Sequence, residues 1–317
     1  MKLIQQQFII DDHTSGMRLD QAICAYLPDY SRSKIQDWIR QGFILHNDVI
    51  PKPKLKVYIG DVLQLDIPPT TVIYDPPQKI RFDIIYQDEH IFVINKPAGL
   101  VVHPAAGHDS GTLLNGLLFL DPALEQLPRA GIVHRLDKET SGVMMVARTL
   151  TAHAALVEAL QARDIKREYL AVAQGVITAG RTIEEPITRH PVDRKRMSVQ
   201  SHGKPAVTHF KVKQKFRAYT LIDVQLETGR THQIRVHMAH IRHPLLGDPV
   251  YGGRLAIPAG ITPELEQLIR RFKRQALHAV RLSFAHPTTG EALSFSADIP
   301  QDMAQLIEGL QRDASQK

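Results

Sequence analysis

Cysteine is almost absent: Cys24 is the only one in 317 residues. That excludes an internal disulfide and any cysteine-cluster metal site. Long apolar runs are missing as well. No stretch approaches the ~20 apolar residues a membrane helix needs. The opening Met1-Lys2-Leu3-Ile4-Gln5-Gln6-Gln7 has no signal-peptide stretch. No membrane partner is expected, and a cytoplasmic location is the simplest reading. Neither standard Gly-rich phosphate loop occurs, so neither ATP nor a dinucleotide is implied. Gly-x-Ser-x-Gly does not occur either.

Charge is present and uneven. The net formal charge is +6 and the pI is about 9.3, which suits a polyanionic partner. From Ser31 to Gly60 there are six basic residues (Arg32, Lys34, Arg40, Lys52, Lys54, Lys56) against Asp37 and Asp48. From Arg189 to Arg217 there are nine against Asp193 alone. Arg270-Arg271-Phe272-Lys273-Arg274 forms a third patch. One such patch is an ordinary solvated face. Three point to nucleic acid.

Prolines at 68, 69, 76 and 77 mark residues 68–79 as a stiff linker. It separates a small module, residues 1–67, from a large domain, residues 80–317. In the module, Leu19, Ala22, Ile23 and Tyr26 have helical spacing up to Pro28. Ser31 is the expected N-cap of a second helix through Arg40, with Ile35, Trp38 and Ile39 inward and Arg32, Lys34 and Arg40 outward. Residues 43–45, 54–58 and 62–67 read as short strands. The pattern Arg18-Leu19-Asp20, Ser31-Arg32-Ser33, Ile39-Arg40-Gln41-Gly42 and Gly60-Asp61 resembles the alpha-L RNA-binding module.

In the large domain, residues 83–95 read as a hairpin turning at Asp88-Glu89. Strands are expected over 143–148, 166–177, 206–216 and 219–227, and helices over 112–120 and 151–163. Helices do not follow each strand. The order argues for an α+β fold with a mixed, mostly antiparallel sheet.

Three segments can carry chemistry. His134-Arg135-Leu136-Asp137-Lys138-Glu139-Thr140-Ser141-Gly142 is a charged loop expected between two apolar strands, 131–133 and 143–147. Asp137 is a candidate nucleophile or base. It needs a nearby cation to stay ionised, and Arg135, Lys138 or a distant arginine could serve. Glu227 to His237 leaves a strand, turns at Gly229 and enters a helix. His232 and Arg235 lie three apart, able to converge on one target. Arg230 and His232 are suited to anion or RNA contacts. Lys166 to Val172 places Tyr169 near the start of a strand, where periodicity alone reads it as a core residue. His232, His237, His240 and His243 match no zinc spacing, so no metal is expected.

At these places the chain resembles the RluA-type family of pseudouridine synthases. His134 to Gly142 is similar to the family's catalytic signature, and Asn95-Lys96-Pro97-Ala98-Gly99-Leu100-Val101-Val102-His103-Pro104 to the opening motif of its catalytic domain. The likeness runs from about Arg18 to about Met303. Glu185 to Pro191, Gly203 to His209, Gly247 to Gly253 and Arg274 to Ala279 resemble the members that modify large-subunit rRNA. The resemblance implies a catalytic Asp137, an Arg235 that pairs with it, a Tyr169 that stacks on the target base, and an Arg135 that holds the flipped-out geometry. It implies 23S rRNA or a pre-ribosomal particle as partner, with the helix 69 stem-loop as target, and no cofactor. A monomer is the default. The rival readings are a non-catalytic RNA-binding assembly factor and an RNA nuclease.

Overall fold

The computed structural model describes residues 4–27, 32–67, 76–104, 110–193, 196–254 and 257–316. The chain divides into two compact units, Met1–Tyr74 and Asp75–Lys317. Ser31 and most of the proline-rich segment, residues 68–75, lie outside the described residues.

The first unit contains β1 (Ile4–Ile9), α1 (Leu19–Tyr26), α2 (Arg32–Arg40), β2 (Ile44–His46) and β3 (Val62–Ile67). The strands form an antiparallel sheet in the order β1-β3-β2. Leu19, Ala22 and Ile23 of α1 meet Ile35, Trp38 and Ile39 of α2 in a core closed by Leu63, Leu65 and Ile67. Two features differ from the sequence reading. β1 was not anticipated, because its run of glutamines breaks the apolar alternation of a half-buried strand. Residues 54–58 do not form a strand. Pro51 and Pro53 remove ladder donors just before them, and only Lys56 makes a bridge, to Arg18. The segment instead secures the entry to α1: Gly16 N–H donates to Val57 O and Leu19 N–H to Leu55 O.

The second unit contains β4 (Asp83–Gln87), β5 (Ile91–Lys96), α3 (Leu113–Leu120), β6 (Ser141–Ala147), α4 (Leu150–Ala162), β7 (Lys166–Gln174), β8 (Arg181–Glu184), β9 (Ile187–Arg189), β10 (Met197–Val199), β11 (Val207–Lys215), β12 (Tyr219–Leu226), α5 (Gln233–His240), α6 (Pro263–Arg271), β13 (Leu277–Ala285), β14 (Ala292–Ser296) and α7 (Gln301–Ser315). Nine strands make one sheet in the order β4-β5-β6-β13-β7-β12-β11-β8, with β14 also on β13. Among the described residues, β13 with β6 is its parallel pair and the other pairings are antiparallel. The fold is therefore α+β with a mixed, mostly antiparallel sheet.

Local chemistry explains the turns. Asp88 Oδ1 accepts from the N–H groups of His90 and Ile91, closing the β4–β5 hairpin. Thr112 and Asn115 form a reciprocal capping box on α3. Residues 76–79, read as linker from their prolines, are tied to α3. Gln78 N–H donates to Asn115 O, and Asn115 Nδ2 donates to Pro76 O. Every residue of β6 is buried, as expected for a strand with apolar layers on both faces. Among the described residues, no helix is long and apolar enough to cross a membrane.

Candidate active site

The loop around Asp137 does not join two strands. The run before it passes through a 3-10 turn, Pro128–Gly131, and Ile132 makes a single bridge to Val146. Only the outgoing run, β6, is a strand. The loop is held one residue at a time. Lys138 O accepts from Lys96 Nζ at 3.0 Å and from Gly99 N–H. Glu139 O accepts from Arg274 Nη1 at 3.2 Å. Thr140 Oγ1 accepts from Gln275 Nε2 at 3.0 Å. Ser141 Oγ bonds His278 Nδ1 at 2.9 Å. Lys96 is wholly buried and also donates to Pro97 O and Leu100 O. Burial pulls its pKa down to about 7 while Asp137 and Glu139 act to raise it. Three carbonyls are the complement of an ammonium group.

Asp137 points away from this frame, with 15% of its side chain exposed. Its Oδ2 accepts from Arg235 Nη1 at 2.9 Å. Arg235 turns its other edge to Asp248, Nε to Oδ2 at 2.7 Å and Nη2 to Oδ1 at 3.0 Å. Asp248 is fully buried at its side chain, and its Oδ1 also accepts from the N–H groups of Val250 and Tyr251. Burial would raise the Asp248 pKa, but Arg235 and these N–H groups more than offset it and hold the carboxyl below its ordinary range. Burial likewise opposes the Arg235 charge, and the two aspartates outweigh it, so the guanidinium keeps its proton more tightly than usual.

His232 completes the cluster. It caps the start of α5 in a left-handed conformation, φ 57°, which brings Nε2 to 3.9 Å from Asp137 Oδ1. Its Nδ1 bonds the Tyr251 hydroxyl at 2.9 Å, which also accepts from Met197 N–H. Burial keeps its pKa below the ordinary histidine value despite Asp137. The Tyr251 ring lies against the Arg235 guanidinium, 5.0 Å from its centroid. His232 and Arg235 both approach Asp137, though not as neighbours on one helical face, since His232 precedes the first turn of α5. Arg135 is exposed.

A cavity of about 540 Å³ opens above Asp137. Tyr169 lines it, only 6% exposed, and burial raises its phenol pKa. Arg129, Arg135, Arg163, Arg167 and Arg230 line the same cavity. A carboxylate hydrogen-bonded to arginine, an aromatic wall and surrounding guanidinium groups suit a pyrimidine on a phosphate chain.

The comparisons agree. The profile of the family described as RNA pseudouridylate synthase matches residues 90–240, and an S4 domain matches residues 17–63. "Ribosomal large subunit pseudouridine synthase D" of Xylella fastidiosa is 50% identical over 310 residues, covering 98% of this chain and 94% of the relative. The protein of the same name from Escherichia coli K12 is 50% identical over 311 residues, covering 98% and 95%. The chain belongs to the RNA pseudouridylate synthase family. Among solved structures, "Human RNA Pseudouridylate Synthase Domain Containing 4" matches with TM-score 0.57 and 25% identity, covering 72% of this chain and 93% of that one.

In this pseudouridine synthase the basic candidates of the S4 module have different tasks. Arg32 donates through Nε and Nη2 to the buried Asp20, which also receives Arg18 and Gln36. Arg40 is exposed and pairs with Asp37 at 2.6 Å. The Lys34 side chain lies outside the described residues. In the synthase domain, Arg230 Nε donates to Pro205 O at 3.0 Å. His237 bonds Thr208 Oγ1 and Glu185 O, and His243 bonds Gln174 O. Sequence reasoning missed the roles of Asp248, Tyr251, Lys96 and Arg167. A polar residue inside an otherwise apolar stretch, such as Lys96 after Ile94, was the available signal.

Proposed function

We propose that this pseudouridine synthase modifies uridines of large-subunit rRNA, with Asp137 as its essential group and the helix 69 stem-loop as its target. The observation that carries the assignment of Asp137 is its 2.9 Å bond to Arg235. The arginine is itself anchored on the far side by Asp248, so Asp137 is oriented and open to the cavity. Relatives that share half of the sequence are named ribosomal large subunit pseudouridine synthases, which supports the rRNA target. We infer a cytoplasmic site of action on the same ground.

The target base must leave its stack, at a cost of roughly a few kcal/mol. Stacking against Tyr169 returns ~1–3 kcal/mol, and Arg135 at the cavity wall holds the displaced geometry. Asp137 then attacks C1′ of the ribose or removes a sugar proton. Either route breaks the N1–C1′ bond and releases the base with the bonding electron pair. The base turns and C5 bonds to C1′ as the Asp137–C1′ bond breaks on the first route, or as Asp137 returns the sugar proton on the second; C5 then loses its proton, with Tyr169 assisting, and N1 takes one up. Arg230, His232 and the basic residues of the S4 module, Arg32, Lys34 and Arg40, bind the RNA.

The test is single-turnover tritium release from large-subunit rRNA transcribed with [5-³H]uridine. Asp137→Ala and Asp137→Asn should release none while binding the RNA with unchanged Kd. Product from Asp137→Ala would overturn the assignment. Carbodiimide mapping of pseudouridines in rRNA, with and without the protein, tests the helix 69 target.

A further inference from the structure

Arg167 is a buried cation in the wall of the active-site cavity. Its residue is 7% exposed, yet it lines the cavity that holds Asp137 and Tyr169. Nη2 donates to Glu227 O at 2.9 Å. Nε is buried and has no hydrogen-bond partner among the described residues. A buried guanidinium with idle donors is costly unless something else occupies them. The fold also keeps space for it: a Cβ on Gly229 would stand 2.7 Å from Arg167 Nη1.

Its position suggests what occupies those donors. Arg167 and Tyr169 are alternate residues of β7, so their side chains leave the same face of the sheet roughly 6.6 Å apart. A pyrimidine lying against the Tyr169 ring would bring its edge towards the next side chain of the strand. RNA phosphates have other partners at this cavity, because Arg129, Arg135 and Arg163 line it and are exposed. The cation within the wall is suited to a carbonyl of the base itself.

We propose that Arg167 donates to a carbonyl oxygen of the flipped uracil and stabilises the departing base. This rests on the assignments of Asp137 and Tyr169 above. When the N1–C1′ bond breaks, its electron pair goes to N1 and spreads onto O2 and O4. The negative charge therefore grows at the atoms a guanidinium can reach. Donors fixed in advance where charge develops act on the rate more than on binding. No proton needs to move to or from the arginine.

The test uses Arg167→Met, Arg167→Lys and Gly229→Ala in the full-length protein, with the tritiated rRNA transcript as probe. Gly229→Ala keeps the cation and crowds its Nη1. At saturating RNA, Arg167→Met should lower the single-turnover rate constant about 10²-fold or more, the scale set by removing one such donor. Arg167→Lys should recover at least about tenfold of that loss, and Gly229→Ala should slow the step with RNA Kd within about twofold of wild type. A rate within about threefold of wild type in Arg167→Met would overturn the proposal. So would a loss that appears in Kd and lowers the salt-dependence slope by about one, the mark of a phosphate contact. If Arg167→Met fails to fold, the Lys and Gly229→Ala variants decide alone: wild-type rates in both overturn it. Asp137→Ala in parallel separates the two readings, since its activity would remove the basis for both. Its inactivity beside an unimpaired Arg167→Met removes only this one.

Discussion

Asp248 holds Arg235 by two hydrogen bonds and leaves the third guanidinium direction to Asp137. The buried carboxylate, with a 0% exposed side chain, therefore positions the group that keeps Asp137 in place. Asp248→Asn keeps the shape and removes the charge. We expect the single-turnover rate to fall about 10–100-fold at unchanged RNA Kd. Asp248→Ala should also cost about 3–5 kcal/mol of stability, because it breaks a buried ion pair and leaves Arg235 Nε and Nη2 without partners. Chemical denaturation beside the tritium assay checks both.

Gly142 closes the signature loop at φ 119°, and a Cβ there would meet Ala279 O at 2.2 Å. That contact lies in the parallel bridge between β6 and β13. Gly142→Ala should destabilise the synthase domain by about 3 kcal/mol through strain and forced separation of the strands. A melting temperature equal to that of wild type would refute the prediction.

His134 accepts Met145 N–H through Nε2 at 3.1 Å, so it folds as the neutral imidazole. Burial, reinforced by Arg167, lowers its pKa to about 3, and His103 is lowered to about 4 by burial and Arg135. In the unfolded chain both titrate near 6.5. The unfolded state therefore binds more protons below that pH. Their stabilisation is complete above about 6.5 and is lost as pH falls towards the folded values. His134 alone should account for about 2 kcal/mol between pH 7 and pH 5. Urea titrations of His134→Gln at the two pH values should show a correspondingly smaller drop.

Arg32 and Arg40 should separate in mutagenesis although both lie on the basic face of α2. Arg40 pairs with Asp37 at the surface, where such pairs contribute ~0–1 kcal/mol. Arg40→Ala should weaken RNA binding and leave stability unchanged. Arg32 satisfies the buried Asp20. Arg32→Ala should cost about 1–3 kcal/mol of stability as well as RNA affinity. Filter binding and thermal melts on both variants distinguish the cases.

Much of this was legible in the sequence, and what was not has physical reasons. Apolar spacing located α1, α2, α3 and α4, because one face of each meets a core. The hairpin at Asp88 and the strands β6, β7, β11 and β12 showed in the same way. β1 escaped notice because three consecutive glutamines interrupt the apolar alternation of this edge strand. Residues 54–58 misled because their apolar alternation serves an irregular segment bonded to the start of α1. At the site, local sequence singled out Asp137, His232 and Arg235, but not that His232 reaches Asp137 from a left-handed cap before α5. It could not show that Asp248, thirteen residues beyond Arg235, returns to grip the same guanidinium. It could not give Tyr169 or Arg167 a role either, since a wall residue of a cavity and a core residue follow the same strand periodicity.

The placement of β13 has a consequence for synthesis on the ribosome. This strand lies between β6 and β7, although residue 277 follows residue 141 by nearly half of the chain. Arg274, Gln275 and His278, which fix Glu139, Thr140 and Ser141, arrive with it. The centre of the sheet therefore stays open until residues 277–285 have emerged. Contacts so distant along the chain form late. A nascent synthase therefore lacks the frame of its signature loop until β13 arrives, and a chain truncated before residue 277 is expected to leave β6 and β7 with unpaired strand edges.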